Sequence, residues 1–331
     1  MSQSLAFSPR LEEVLRQGDY TYVVTGATGW IGCATLEMLA LALGERFSVK
    51  VQAYGGRGGV LKLTAGPVIE ILPLATPAPR PSKPTILFHY AFLTKDKVVQ
   101  LGDVHAYSKG NLEIREHTLR LASTMNLAGM VLASSGAVYD HIGHKAREAD
   151  AGIYGQLKFQ DEEIFADFCH RRGVPLIIPR IFNLSGPFIN KFTSYALSSI
   201  IVDVLTGKAV KLTAAHAVYR SYVYVGDVIE LAVRQLLASD SAKPVIYDTR
   251  GSDIVEIGDL ARIICRVLAR PDFAIDRPPV SDSKADNYLG SPQPWADILS
   301  RENYNLLPLR QQIEYTVRYI NTCLATKGAE G

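Results

Sequence analysis

The feature that most constrains the fold is a glycine loop placed directly after an apolar run. Residues 20–25 are apolar and β-branched, and Gly26-Ala27-Thr28-Gly29-Trp30-Ile31-Gly32 follows at once. The first stretch reads as a strand and residues 30–43 as a helix. Glycine at every third position lets the chain turn tightly and brings its backbone close to a pyrophosphate. The helix behind it aims its N-terminal amides at that charge. A plain strand-helix turn is the bland alternative, but strand before and helix after is the context a dinucleotide loop requires. The loop therefore predicts an NAD(P) cofactor held by Gly26, Thr28, Gly29, Trp30, Ile31 and Gly32.

The same alternation continues. Residues 49–54, 68–72, 85–90, 130–134 and 174–181 read as strands, and 108–128 and 154–171 as helices. A connection rich in proline (Pro73, Pro77, Pro79, Pro81, Pro84) precedes the strand at 85–90. Strands and helices in turn predict an α/β fold of the Rossmann type, a doubly wound parallel sheet covered on both faces. Beyond Phe182 the pattern loosens into helices at 195–205, 228–237, 257–268 and 309–322, mixed with strands at 210–213, 222–225 and 245–248. The expected organisation is an NAD(P)-binding domain over 1–182 and a smaller α/β substrate-binding lobe over 183–331, some of whose segments return to the main sheet.

Composition narrows the function. With 47% hydrophobic residues in 331, the chain can bury a full core. A formal charge of +2 offers no electrostatic case for nucleic acid or membrane. The N-terminal stretch is polar and interrupted by Pro9, unlike a signal peptide, and no apolar run reaches the ~20 residues of a membrane span. Cys33, Cys169, Cys265 and Cys323 are far apart, which argues for a reducing, cytoplasmic setting without disulfides. The histidines show no metal-ligand spacing, so no metal is expected.

Two further stretches point to redox chemistry. Ser134-Ser135 ends an apolar run, and Tyr154 and Lys158 stand four apart. In a chain with 16 tyrosines such a pair arises by chance on the order of once, and a surface i, i+4 contact would explain it alone. Its place after a nucleotide loop and a hydroxyl is what raises it. A free tyrosine titrates near pH ~10, too high for a good base at neutral pH. An ammonium one helical turn away favours the phenolate. Tyr154 can then move the proton of a hydroxyl or ketone while hydride passes to or from nicotinamide, with Ser135 holding the same oxygen. At the end of the second strand, Tyr54-Gly55-Gly56-Arg57 lacks the carboxylate that grips an NAD ribose. Arg57 suits a 2′-phosphate and favours NADP over NAD; the bland alternative is a solvent-facing charge.

These residues resemble the extended short-chain dehydrogenase/reductase family, in its nucleotide-sugar epimerase/dehydratase group. The resemblance rests on Thr25 through Gly32, on Ser134-Ser135-Gly136-Ala137-Val138-Tyr139, on Tyr154 and Lys158, on Pro179 through Pro187, and on Arg220 through Val228. It implies that Lys158 also holds the nicotinamide ribose, that Asn183 contacts a nucleotide-diphosphate sugar and that Arg220 pairs with its diphosphate. It implies cofactor-side places for His89 and for Asn111, and a homodimer formed through the helices at 108–128 and 154–171.

The chain also departs from the family. Where the family reads His-Leu-Ala-Ala, this chain has His89-Tyr90-Ala91-Phe92, and the two aromatics are expected to reshape the nicotinamide or substrate pocket. Ile71-Leu72-Pro73 stands where an aspartate near the adenine is usual. Gly136 and Ala137 replace the acid and base of the 4,6-dehydratases, which argues against dehydration. The span from Ser135 to Tyr154 is short, which predicts an open substrate mouth. Hydride transfer at the sugar C4 is the expected step, in a 4-epimerase or a 4-ketoreductase. Two alternatives stay open: a reductase of small carbonyl compounds, and a Rossmann protein that senses the cofactor without turning it over. His141-Ile142-Gly143-His144 spells a synthetase signature but lacks its setting and reads as a loop, and Asn183-Leu184-Ser185 is not taken as a glycosylation site.

Overall fold

The computed structural model describes residues 5–76, 83–142 and 152–329. Its strands in the first half are β1 (Thr21–Thr25), β2 (Val51–Gly55), β3 (Gly59–Lys62), β4 (Val68–Pro73), β5 (Thr85–His89), β6 (Leu127–Leu132), β7 (Ser134–Ser135) and β8 (Leu176–Ile181). They form one sheet in the order Val245–Asp248, β8, β6, β5, β1, β2, β4, β3, with β7 on β8. The pairings of β1 with β2 and β5, of β5 with β6, of β6 with β8 and of β2 with β4 are parallel. All of β5 and nearly all of β1 are buried, as unbroken apolar runs require in a sheet covered on two sides. This is the α/β, Rossmann-type fold that the alternation predicts. The strand order reverses between β1 and β5. The chain therefore leaves these two strands toward opposite faces, and the crevice at their carboxyl ends is where such sheets bind ligands.

The structure departs from the sequence expectations, or adds to them, in four places. No helix joins β2 to β4. Instead the chain runs through Gly55-Gly56-Arg57-Gly58-Gly59, forms β3 antiparallel to β4, and turns back. A glycine-rich segment is a poor helix former, so a hairpin takes the crossover's place. The Glu37 carboxylate pins its turn by accepting from Thr64 N and Ala65 N. The long helix spans Val104–Ser123, not 108–128: Asp103 caps it earlier, accepting from His105 N at 2.8 Å, and it stops because Leu127 must enter β6 opposite Thr85. Pro9 starts a helix, Pro9–Gln17, in whose first turn its missing N–H is harmless. Finally, His141 lies in a short helix, Val138–Ile142, not a loop, while Gly143 and His144 fall outside the described residues. Half of the span between Ser135 and Tyr154, residues 143–151, falls outside them too.

The chain divides into two compact units. One holds the described residues up to Ile181 together with Ile229–Tyr247; the other holds Phe182–Val228 and Asp248 onward. Residues 229–247, within the stretch expected as the substrate lobe, thus belong with the parallel sheet. In the second unit His216–Arg220 pairs with Val255–Glu256 and Ser281–Tyr288, and Asn183–Ser185 pairs with Tyr222–Tyr224. The Ile257–Val267 helix buries Ile257, Leu260, Ala261 and Ile264, one apolar stripe at helical spacing. Glu256 caps it, accepting from Gly258 N at 2.7 Å, and is gripped by the Arg277 guanidinium, which pulls its pKa down to about 2.

Candidate active site

The glycine loop closes as tightly as its spacing predicts. Gly26 takes φ +69°, and a Cβ there would sit 2.6 Å from Ala91 N, on the chain leaving β5. A Cβ at Gly32 would lie 2.2 Å from Gly26 O. The Trp30–Leu43 helix starts right behind, with Gly29 as its N-cap and no side-chain bond to the cap amides. Such a turn at a helix N-terminus is a cradle for phosphate, so these residues fit a dinucleotide cofactor. Thr28 is exposed at the crest, Ile31 is half-buried, and Trp30 is buried. Thr28 also lines a hollow of about 460 Å³ with Gly56, Arg57, Gly58, Gly59 and Ile71. Arg57 is exposed there, and no carboxylate lines the hollow.

The chain leaving β5 forms the neighbouring wall. His89 is buried and shares a hydrogen bond of 2.7 Å with Thr25 Oγ1, tying the ends of β1 and β5 together. Burial and the cations of Lys158 and Arg115 push its pKa down to about 3, so it is neutral. Asn111 is buried as well; its Oδ1 accepts from Leu93 N at 2.8 Å and its Nδ2 donates to Tyr107 O at 3.3 Å. Asn111 therefore braces the wall from behind.

Ser135, Tyr154 and Lys158 lie on two elements in direct contact. The Ile153–Arg171 helix packs so close to the turn after β7 that a Cβ at Gly155 would be 2.1 Å from Ala137 O. Ser135 Oγ accepts from Ala137 N at 3.2 Å, whereas the Ser134 hydroxyl is engaged by Glu162. Lys158 is buried and donates from Nζ to Ala133 O at 2.8 Å. Burial pushes its pKa down to about 8, against the pull of Asp161 and Glu162. Lys158 Nζ also lies 4.0 Å from the centroid of the Phe92 ring, which meets the Tyr154 ring edge-on at 5.5 Å.

Beneath this pair is a layer of charge that sequence inspection missed. Asp161 and Glu162 follow Lys158 at helical i+3 and i+4 spacing. Asp161 is held by Arg115 at 2.5 Å, and Glu162 by Arg180 at 2.7 Å. Arg180 also donates to the Tyr139 hydroxyl at 3.1 Å. The spacing along the helix was a readable signal; the arginine partners come from other elements and had none.

The expected substrate residues lie in the other unit. Asn183 Nδ2 donates to Ser221 O and Tyr288 O, both at 3.3 Å. Arg220 pairs with Asp286 at 2.7 Å. Among the described residues no cluster of three or more His, Cys, Asp or Glu could hold a metal, and no helix is long and apolar enough to cross a membrane.

Comparison with known proteins agrees with this fold. UDP-glucuronic acid decarboxylase 6 of Arabidopsis thaliana is 25% identical over 280 residues, covering 81% of this chain and 80% of the relative. The UDP-N-acetylglucosamine 4-epimerase of Methanobrevibacter ruminantium shares the fold at a TM-score of 0.68 and 18% identity, over 92% of this chain and 99% of that one. The UDP-glucose 4-epimerase of Thermus thermophilus, solved in complex with NAD, does so at 0.65 and 19%, over 91% and 99%. The model of the NAD dependent epimerase/dehydratase family matches residues 22–258. With its glycine loop, parallel sheet and hydroxyl–tyrosine–lysine set, the chain belongs to the NAD dependent epimerase/dehydratase family.

Proposed function

We propose that this chain is an NAD(P)-dependent enzyme acting on a nucleotide-activated sugar, with hydride transfer at the sugar C4 and Tyr154 as its acid and base. The observation that carries the reading is the buried Lys158 ammonium, one helical turn from Tyr154 and bonded to Ala133 O just before Ser134-Ser135. When bound, nicotinamide supplies the hydride acceptor or donor. The Lys158 charge favours the Tyr154 phenolate, and Tyr154 takes the proton of the C4 hydroxyl or returns it to the ketone. Ser135 hydrogen-bonds the same oxygen. Gly26, Thr28, Gly29, Trp30, Ile31 and Gly32 hold the pyrophosphate, and Lys158 also reaches the nicotinamide ribose. His89 acts through the Thr25 hydroxyl it binds, and Asn111 through the main chain it ties down. Arg57, in a hollow without a carboxylate, favours NADP. Asn183 and Arg220 hold the nucleotide-sugar; Arg220 exchanges Asp286 for diphosphate oxygens, which its fork suits equally.

The curated relatives favour a second outcome of the same step. Oxidation at C4 turns a uronic sugar into a β-keto acid. That acid loses CO2, its enol takes a proton, and the hydride returns to C4. The test is a panel of UDP-, dTDP-, GDP- and CDP-sugars, uronates included, with product identification by mass spectrometry and NMR. An epimer, a 4-hydroxy product or a pentose separates the outcomes. Tyr154→Phe is expected to lower turnover roughly 10²–10⁴-fold with cofactor affinity unchanged. Turnover equal to the wild type would overturn the assignment.

A further inference from the structure

Several contacts converge on Phe92, a residue the mechanism above does not use. The Lys158 ammonium sits over the face of its ring, and the Tyr154 ring meets it in a T-shaped contact at an interplanar angle of 87°. The chain beside it is held from the Val104–Ser123 helix. Asn111 Oδ1 accepts from Leu93 N at 2.8 Å, and the Tyr107 hydroxyl donates to Leu93 O at 2.7 Å. Gly110, between them, leaves the room: a Cβ there would be 2.7 Å from Leu93 Cδ1. Phe92 is thus a braced part of the wall.

An aromatic face carries negative charge density and attracts a cation, more strongly when water is excluded. The groups facing Lys158 are few. Asp161 and Glu162 on its own helix are paired with Arg115 and Arg180. His89 on β5 is neutral, and Tyr154 lies one turn back on the helix. Among the described residues, the ammonium's direct contacts are the Ala133 carbonyl and the Phe92 ring.

We propose that Phe92 is a positioning residue of the proton-transfer pair: its face seats the Lys158 ammonium and its ring packs T-shaped against Tyr154, so one side chain sets their spacing and stabilises the lysine's charge. This rests on the reading of Tyr154 and Lys158 as that pair. Because burial already pushes Lys158 down to about 8, losing the ring shifts the lysine further toward its neutral form.

The experiment follows the titration of Lys158 by NMR of its Cε in protein carrying ¹³C-lysine, assigned with Lys158→Met. It is run in the wild type and in Tyr154→Phe, so that a coupled tyrosine is not mistaken for the lysine. Phe92→Leu keeps the site apolar but removes the ring; the midpoint is expected to fall by roughly 0.5–1.5 pH. The basic limb of the kcat profile should move down with it, while KM changes little. Phe92→Met should behave like Phe92→Leu and serves if the leucine variant does not fold. Phe92→Trp restores a face and should keep the wild-type midpoint. Midpoints in the leucine and methionine variants equal to or above the wild type would overturn the role of Phe92. A midpoint that falls as expected, in a protein whose Tyr154→Phe variant turns over normally, would instead overturn the catalytic reading.

Discussion

At the scale of single residues the site trades stability for charge. Lys158 is buried and its pKa is lowered from 10.5 to about 8. The folded value lies below the unfolded one, so between pH 8 and 10.5 the unfolded chain binds more protons and stability rises with pH. Below about pH 8 the burden of the buried ammonium is present in full. Lys158→Met, similar in length and uncharged, should therefore raise the thermal midpoint at pH 7 by about 2–4 °C per kcal/mol relieved, while turnover is lost. A melting curve at pH 7 checks this, and a lowered midpoint would show that the ammonium stabilises the fold. Asp161 shares part of that burden, since burial raises its pKa despite the Arg115 guanidinium beside it.

At the scale of elements, the proposed mechanism depends on how closely the Ile153–Arg171 helix approaches the turn after β7. Only glycine fits at 155, because any Cβ would press on Ala137 O at 2.1 Å. Gly155→Ala must push the helix, with Tyr154 and Lys158, away from Ser135. Misplacement of about 1 Å costs on the order of 10²-fold in rate, so turnover should fall at least that far. Steady-state kinetics and a thermal melt would record it; wild-type turnover would mean that the turn yields and the helix stays. The hairpin that replaces the β2–β4 crossover is the second element with consequences. It brings Gly56, Arg57 and Gly58 to the hollow beside Thr28, and Glu37 anchors it to the Trp30–Leu43 helix.

At the scale of the whole molecule, cofactor binding and folding are linked. A ligand at 100 times its Kd adds about 2.7 kcal/mol to the unfolding free energy. If Arg57 meets a 2′-phosphate, NADP+ should raise the thermal midpoint more than NAD+ at equal concentration, and Arg57→Ala should bring the two shifts together. An equal or larger shift with NAD+ in the wild type would set aside the Arg57 assignment and leave the cofactor as the NAD of the crystallised neighbours.

Much of the fold was legible because its signals are local. Strand β1, the glycine loop and the helix at 30–43 follow from side-chain period and the steric freedom of glycine, properties that neighbouring residues impose on one another. The Tyr154–Lys158 pair was legible for the same reason, since i and i+4 share a helix face. The β3 hairpin was hidden because a glycine-rich crossover has no period to read. What only the tertiary structure decided is which distant groups meet: Phe92 with Lys158, Arg115 with Asp161, Arg180 with Glu162, and Gly155 with Ala137. Each of these depends on strand order, because the reversal between β1 and β5 determines which strand ends become neighbours. By itself the sequence determined that a dinucleotide loop and a tyrosine–lysine pair are present; the packing of the sheet decided what surrounds that pair and how its lysine is charged.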